Sequence, residues 1–303
     1  MGLLYFLESI RVPFIDAIML YITQLGEETA FLAIALILFW CIDKRVGYFT
    51  MSVGFVGTLL NQFMKLMFRI PRPWVLDPNF TILEQAREAA AGYSFPSGHS
   101  QNAVGTFGSI AYVTKNRWIK VVSIMIAVLV PFSRMYIGVH TPADVLVAAV
   151  MAVLLVICFK PLVFGKGGKL FPYLIGSMTA LAILFMCFVN YWPFPENIDA
   201  HNLSSGIKNA YTLLGCLFGL IIVYIVDEKW LHFPVKAVWW AQILKVIIGL
   251  CLVLAVKSGL SSPLSALFGA SVGRAVRYFL IVIMAGIIWP LSFKWFAKLG
   301  DRE

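Results

Sequence analysis

The chain has 303 residues, of which 60% are hydrophobic, 15% aromatic and only 13% charged, with a formal net charge of +9. A mean hydropathy of +0.86 and a charged fraction well under the roughly 25% of soluble domains exclude an ordinary soluble fold and imply a polytopic membrane protein. The positive charge does not indicate nucleic acid, because no Lys/Arg run or basic-aromatic interleaving accompanies it, and basic loops follow from membrane topology instead.

A spanning helix needs roughly 20 apolar residues to cross about 30 Å of hydrocarbon. Residues 1–24 fall short of this, because Glu8, Arg11, Pro13 and Asp16 interrupt the apolar positions, and they read as an amphipathic segment lying in the interface. They show neither a basic n-region nor a small-residue cleavage site, so the membrane helices themselves are expected to direct insertion. Nine apolar runs follow, at 29–42, 46–68, 97–115, 119–132, 142–159, 170–191, 210–226, 235–256 and 276–293. The expected architecture is all-α, a polytopic transmembrane helical bundle of about nine spans plus an N-terminal interfacial helix.

Loop charge orients this bundle. Lys44 and Arg45, then Lys115, Arg117 and Lys120, Lys160, Lys166 and Lys169, Lys229 and Lys236, and finally Lys294, Lys298 and Arg302 fall on one side. The 193–206 loop on the other side has Glu196 and Asp199 but no Lys or Arg. The basic side is expected to be cytoplasmic, with the N-terminus outside and the C-terminus inside, and the plasma membrane is the expected location. Trp74, Trp118, Trp192, Trp230 and Trp295 lie near run boundaries, as interfacial anchors do. The five cysteines all fall inside apolar runs without C-x-x-C spacing, so neither a disulfide framework nor a zinc site is indicated.

Three polar clusters sit at run ends, all on the expected non-cytoplasmic face. Lys65 closes the second run, and Arg72 follows between Pro71 and Pro73, which impose a rigid, extended exit. Taken alone, Lys65 reads as a snorkelling membrane-end lysine. In Pro96-Ser97-Gly98-His99, Ser97 can cap the third run and Gly98 admits close backbone approach, so free N–H groups face an incoming anion. A plain helix cap beside an incidental His99 is the blander alternative. In the third cluster, Ser133-Arg134 leads through Gly138 to His140, and Thr141-Pro142 opens the fifth run with Asp144 in its first turn. Asp144 can fix the His140 tautomer and stabilise its cation, or form a capping box with Thr141; both can hold at once. His99, His140 and Asp144 are also candidate metal ligands, but Lys65, Arg72 and Arg134 would surround that metal with like charge, whereas around a phosphate they are attractive. His201 and His232 lack such neighbours and read as solvated loop residues.

In order and spacing these residues match K-x6-R-P, P-S-G-H and S-R-x5-H-x3-D, so the stretch from Lys65 to Asp144 resembles the type-2 phosphatidic acid phosphatase superfamily at every motif position. The resemblance implies a helical bundle and an integral-membrane phosphatase acting on a lipid phosphate or pyrophosphate, with no metal and no other cofactor. It further implies that His140 is the nucleophile of a phosphohistidine intermediate, supported by Asp144. His99 would protonate the leaving oxygen and later activate water, while Lys65, Arg72, Ser97, Gly98 and Arg134 would bind phosphate oxygens. Residues 1–165 form the expected catalytic core and 166–303 a four-span extension without catalytic motifs. Expected partners are membrane lipids and a lipid phosphate or polyprenyl diphosphate substrate. A phosphotransferase passing phosphate to a lipid or glycan would use the same site, and a non-enzymatic lipid-binding or translocating protein on this scaffold is the third reading. A vanadate-dependent oxidase needs the same anion pocket, but nothing else in the chain indicates oxidative chemistry.

Overall fold

The computed structural model describes residues 1–90 and 92–299, the side chains of Ala89 and Lys166 excepted; Arg302, counted above among the basic loop residues, lies outside the described residues. No strand occurs among them, and every one of the nine apolar runs is helical. The chain begins with α1 (Gly2–Ser9), α2 (Pro13–Gln24) and α3 (Glu28–Ile37), the last extended by a π-helical turn over Leu38–Ile42. It continues through α4 (Lys44–Phe68), the single turn α5 (Pro73–Leu76), α6 (Gly98–Val113), α7 (Arg117–Tyr136) and α8 (Pro142–Phe164). The remainder is α9 (Phe171–Tyr191), α10 (Ala200–Val226), α11 (Trp239–Gly259), α12 (Ser261–Phe268), α13 (Ala270–Ile283) and α14 (Phe293–Lys298).

Six helical stretches among the described residues are long and apolar enough to cross a membrane, and α2 with α3, bent by 54°, makes a seventh candidate. The expected count of about nine is therefore approximate. α6 has only 16 residues and buries Ser100, Gln101, Asn102, Thr106 and Ser109. α4 is long enough at 25 residues, but carries Lys44, Arg45, Asn61, Gln62 and Lys65. Residues 1–24 form two helices rather than one interfacial helix, because the Arg11-Val12-Pro13 junction restarts the chain with Pro13 at the first helical position of α2.

The chain divides into two compact units. The first comprises Met1–Ile34, Phe49–Pro161 and Phe194–Gly206. In it α6 packs along α7, with Ala103, Phe107 and Val130 fully or nearly buried at their contact. Glycines permit close approach here: a Cβ on Gly54 would lie 2.1 Å from the Phe31 ring. A second apolar cluster of Leu7, Ala86, Tyr136, Ile137 and Val139 joins α1 and the 77–90 loop to the end of α7. Arg11 reinforces that junction, donating from Nε to the Tyr136 carbonyl at 3.0 Å and from Nη1 to the Thr81 carbonyl at 3.0 Å.

The second unit comprises Ala35–Tyr48, Leu162–Pro193 and Ile207–Glu303. Lys245 on α11 is fully buried and donates to the Trp40 and Val235 carbonyls at 2.9 and 3.0 Å. Trp40 in turn donates from Nε1 to the Ala285 carbonyl at 2.8 Å. Lys44 donates to both Asp227 oxygens at 2.7 and 2.8 Å and lies 3.8 Å from the centre of the Phe233 ring.

Asp227 is only 4% exposed, so removing its partner strands a buried carboxylate. Lys44→Met is expected to lower stability by about 2–3 kcal/mol, measured by thermal unfolding in detergent, whereas Lys44→Arg should cost less than half of that.

Candidate active site

The three sequence clusters converge within the first unit. Arg72 lies in the extended link between α4 and α5 and is 6% exposed. Its Nε donates to the Gly92 carbonyl at 3.0 Å, and its Nη1 lies 2.9 Å both from the Val139 carbonyl and from His140 Nε2. A guanidinium has only donors, so Nε2 must offer its lone pair and the ring proton must sit on Nδ1. His140 is thereby held as a neutral imidazole with a polarised, unprotonated Nε2.

Asp144 faces the other ring nitrogen. Its Oδ2 lies 3.4 Å from His140 Nδ1 and accepts from Ser94 Oγ at 2.5 Å and from Thr141 N at 2.7 Å, while Thr141 Oγ1 accepts from Asp144 N at 3.3 Å. The capping box and the His-carboxylate pair thus coexist in one carboxylate. At 3.4 Å the direct His140 contact is long for a hydrogen bond. Ser94 bridges it, lying 3.4 Å from Nδ1 on one side and tightly bound to Asp144 on the other.

The remaining candidate residues gather at helix ends. Ser97 caps α6, its Oγ accepting from Ser100 N, and its own N–H donates to the Asp144 carbonyl at 3.1 Å, which ties the start of α6 to the start of α8. Above Gly98 only Asn61 Oδ1, at 3.8 Å, would meet an added Cβ, so the backbone there stands open. Lys65 Nζ donates to the Tyr93 carbonyl at 2.5 Å. Arg134, 1% exposed, donates from Nη1 to Thr23 Oγ1 at 2.9 Å, while its buried Nε has no partner among the described residues. A cavity of about 390 Å³ reaches His99 and Arg134, walled by Ala17, Leu20, Tyr21, Thr23 and Gln24 of α2 and by Glu27, Gln85 and Ala86.

Burial holds the His140 pKa well below the usual imidazole range, and Arg72, Arg134, Lys65 and His99 lower it further. Burial also brings the Arg72 guanidinium down to about 10, partly opposed by Asp144, so it stays charged at neutral pH. All eight residues singled out in the sequence, Lys65, Arg72, Ser97, Gly98, His99, Arg134, His140 and Asp144, therefore lie in one neighbourhood. His201 and His232 are exposed, as expected, but His201 begins α10 rather than lying in a loop, because Asp199 caps that helix by accepting from Asn202 N at 2.7 Å. Trp74 is no simple interfacial anchor: its ring lies 5.9 Å from the Arg72 guanidinium and 5.5 Å from that of Arg87. Ser94, Thr23 and Asn61, whose Nδ2 donates to the Pro96 carbonyl at 3.2 Å, carry no sequence signal of their own.

The PAP2 superfamily pattern matches residues 45–167, and that of the PAP2 superfamily phosphatase transmembrane extension matches 211–302. Undecaprenyl-diphosphatase BcrC of Bacillus subtilis is 34% identical over 148 residues, covering 46% of this chain and 71% of that protein. The chain belongs to the PAP2 superfamily. It is a multi-pass membrane phosphatase of that family. Phosphatidylglycerophosphatase B of the same organism is 32% identical over 152 residues, 45% of this chain and 70% of that protein. Sphingosine-1-phosphate phosphatase 1 of Mus musculus is 27% identical over 255 residues, 78% of this chain but 57% of its own length. No solved structure gives a significant match.

Because the folded-state pKa of His140 lies below the unfolded value of about 6.5, the unfolded chain takes up more protons on acidification. The stability tied to neutral His140 is full above about pH 6.5 and is lost as pH falls below it. Thermal unfolding midpoints should therefore fall more steeply from neutral pH to about pH 5 in the wild type than in His140→Gln, which has no proton to take up.

Proposed function

We propose that this membrane phosphatase hydrolyses a lipid phosphate or pyrophosphate through a phosphohistidine on His140, without a metal. The observation that carries the reading is the 2.9 Å contact between Arg72 Nη1 and His140 Nε2, which leaves the nucleophilic nitrogen unprotonated and beside a phosphate-binding cation. On substrate binding Arg72 turns to a phosphoryl oxygen and frees the Nε2 lone pair. Nε2 attacks phosphorus, the bond to the leaving oxygen breaks, and His99, an imidazolium once the substrate's phosphate charge offsets the surrounding cations, gives that oxygen a proton. Asp144, through Ser94 and the Nδ1 proton, stabilises the cationic ring of the phosphohistidine. Water then attacks phosphorus while His99 takes its proton, the P–N bond breaks, and phosphate leaves with His140 restored. Lys65, Arg72, Arg134, the Ser97 hydroxyl and the open backbone at Gly98 bind the equatorial oxygens, where charge accumulates in a loose transition state.

The substrate reading rests on the cavity beside His99 and Arg134, whose α2 wall sets Ala17, Leu20 and the Tyr21 ring beside Thr23 and Gln24. A headgroup phosphate enters at the cations while its acyl or prenyl chain stays with the membrane. The names of the relatives, which span a polyprenyl diphosphate, a phosphatidylglycerol phosphate and a sphingoid phosphate, agree with that class. Residues 1–165 supply the catalytic core and 166–303 the membrane extension. Loop charge supports a site on the non-cytoplasmic face, in a membrane that this reading takes to be the plasma membrane.

Purified protein is expected to release phosphate from undecaprenyl diphosphate, phosphatidylglycerol phosphate or phosphatidate in excess chelator, and to be inhibited by vanadate. A requirement for added divalent metal would refute the metal-free chemistry. His140→Ala should reduce turnover by at least about 10³-fold and abolish acid-labile labelling by a radioactive phosphoryl donor.

A further inference from the structure

We infer that Asn202, on the first turn of α10, is a positioning residue that sets the oxyanion-binding cations Lys65 and Arg72. It lies outside both matched family segments, 45–167 and 211–302. The inference rests on the phosphate-binding role given to those two cations above.

Lys65 and Arg72 are held through two consecutive backbone carbonyls: Lys65 Nζ donates to Tyr93 O at 2.5 Å and Arg72 Nε to Gly92 O at 3.0 Å. Both ammonium and guanidinium are therefore placed by the path of the chain at Gly92-Tyr93. That path is irregular, with Gly92 at a φ of +84° that a residue with a side chain rarely adopts. Asn202 fixes it. Its Oδ1 accepts from Tyr93 N at 3.0 Å, and its side chain fills the space beside Gly92 so closely that an added Cβ there would lie 2.4 Å from Oδ1.

Asn202 is itself held by Asp199. Asp199 Oδ1 accepts from Asn202 N at 2.7 Å and from Asn202 Nδ2 at 2.8 Å, so the amide can present only its oxygen to Tyr93. Asp199 N also donates to Tyr93 Oη at 3.1 Å. The Asp199-to-Asn202 turn thus grips Tyr93 at its backbone and at its ring hydroxyl, and Asn202 is only 8% exposed. Loss of its acceptor leaves the half-buried Tyr93 N–H without that partner and releases the two carbonyls that aim the cations.

The test uses the full-length purified protein and measures vanadate affinity by calorimetry beside kcat and KM. Asn202→Ala should weaken vanadate binding and raise KM by about ten-fold, while exposed Asn197→Ala leaves both unchanged. The paired exchange Asn202→Asp with Asp199→Asn restores a carboxylate oxygen to Tyr93 and an amide donor beside it, and should return vanadate affinity to within about two-fold of wild type. A merely structural role would lower the unfolding temperature without moving the vanadate affinity of the folded fraction. Wild-type vanadate affinity in Asn202→Ala overturns the inference alone. Absence of vanadate binding to the wild type overturns the oxyanion site and this inference with it. Should Asn202→Ala not fold, Tyr93→Phe, which removes only the Asp199 contact, is expected to weaken vanadate binding by about three-fold, and an unchanged value would count against the grip described.

Discussion

The constraint on which the site depends is the need to satisfy one buried guanidinium. Taking Arg72 out of water is costly unless its N–H groups meet acceptors in good geometry. Those acceptors are Gly92 O, Val139 O and His140 Nε2, drawn from two segments far apart in sequence. Helical carbonyls are already taken by the ladder, so free ones have to come from irregular backbone. Gly92 and Gly138, both at positive φ, provide the turns that present them. The irregular stretches around the site are thus what make a buried cation tolerable, and the same cation fixes the tautomer of His140.

Much of this was legible from residue types. Basic residues and histidines at the ends of apolar runs, with Pro and Gly beside them, located all three clusters, because few other roles call for such residues at a membrane boundary. Thr141, Pro142 and Asp144 announced both the start of α8 and the partner of His140. Ser94, Thr23 and Asn202 were not legible: each is an ordinary polar residue whose role comes from tertiary proximity to Asp144, Arg134 and Tyr93. The count of spans blurred for a related reason. Asn61 and Lys65 on α4 and the polar residues of α6 lower the hydropathy of runs counted as spans, whereas in the fold these groups are buried or partly buried within the first unit. The early start of α10 depended on Asp199, read from sequence only as an acidic loop residue.

The second unit solves a different problem with similar means. In a medium that offers no water, every backbone group displaced from a helical ladder needs an internal partner. The π-helical turns at Leu38–Ile42 and Met284–Ile288 displace such groups. Lys245 answers the carbonyl of Trp40, and the Trp40 indole answers that of Ala285. A fully buried lysine here needs no chemical role to account for it, since carbonyl dipoles and the Phe293 ring, 4.2 Å away, surround its ammonium.

The double duty of Asp144 has an evolutionary consequence. One carboxylate oxygen closes the first turn of α8 and faces the imidazole four residues earlier. A lineage that lost the chemistry could not let this position wander freely, because the helix would fray at its start. Retention of an acidic residue here is thus weak testimony to turnover, whereas the imidazole closes no helix and shares with two carbonyls its part in satisfying Arg72. On the phosphohistidine reading proposed above, the histidine rather than its neighbour would therefore tell a living enzyme of this fold from a retired scaffold.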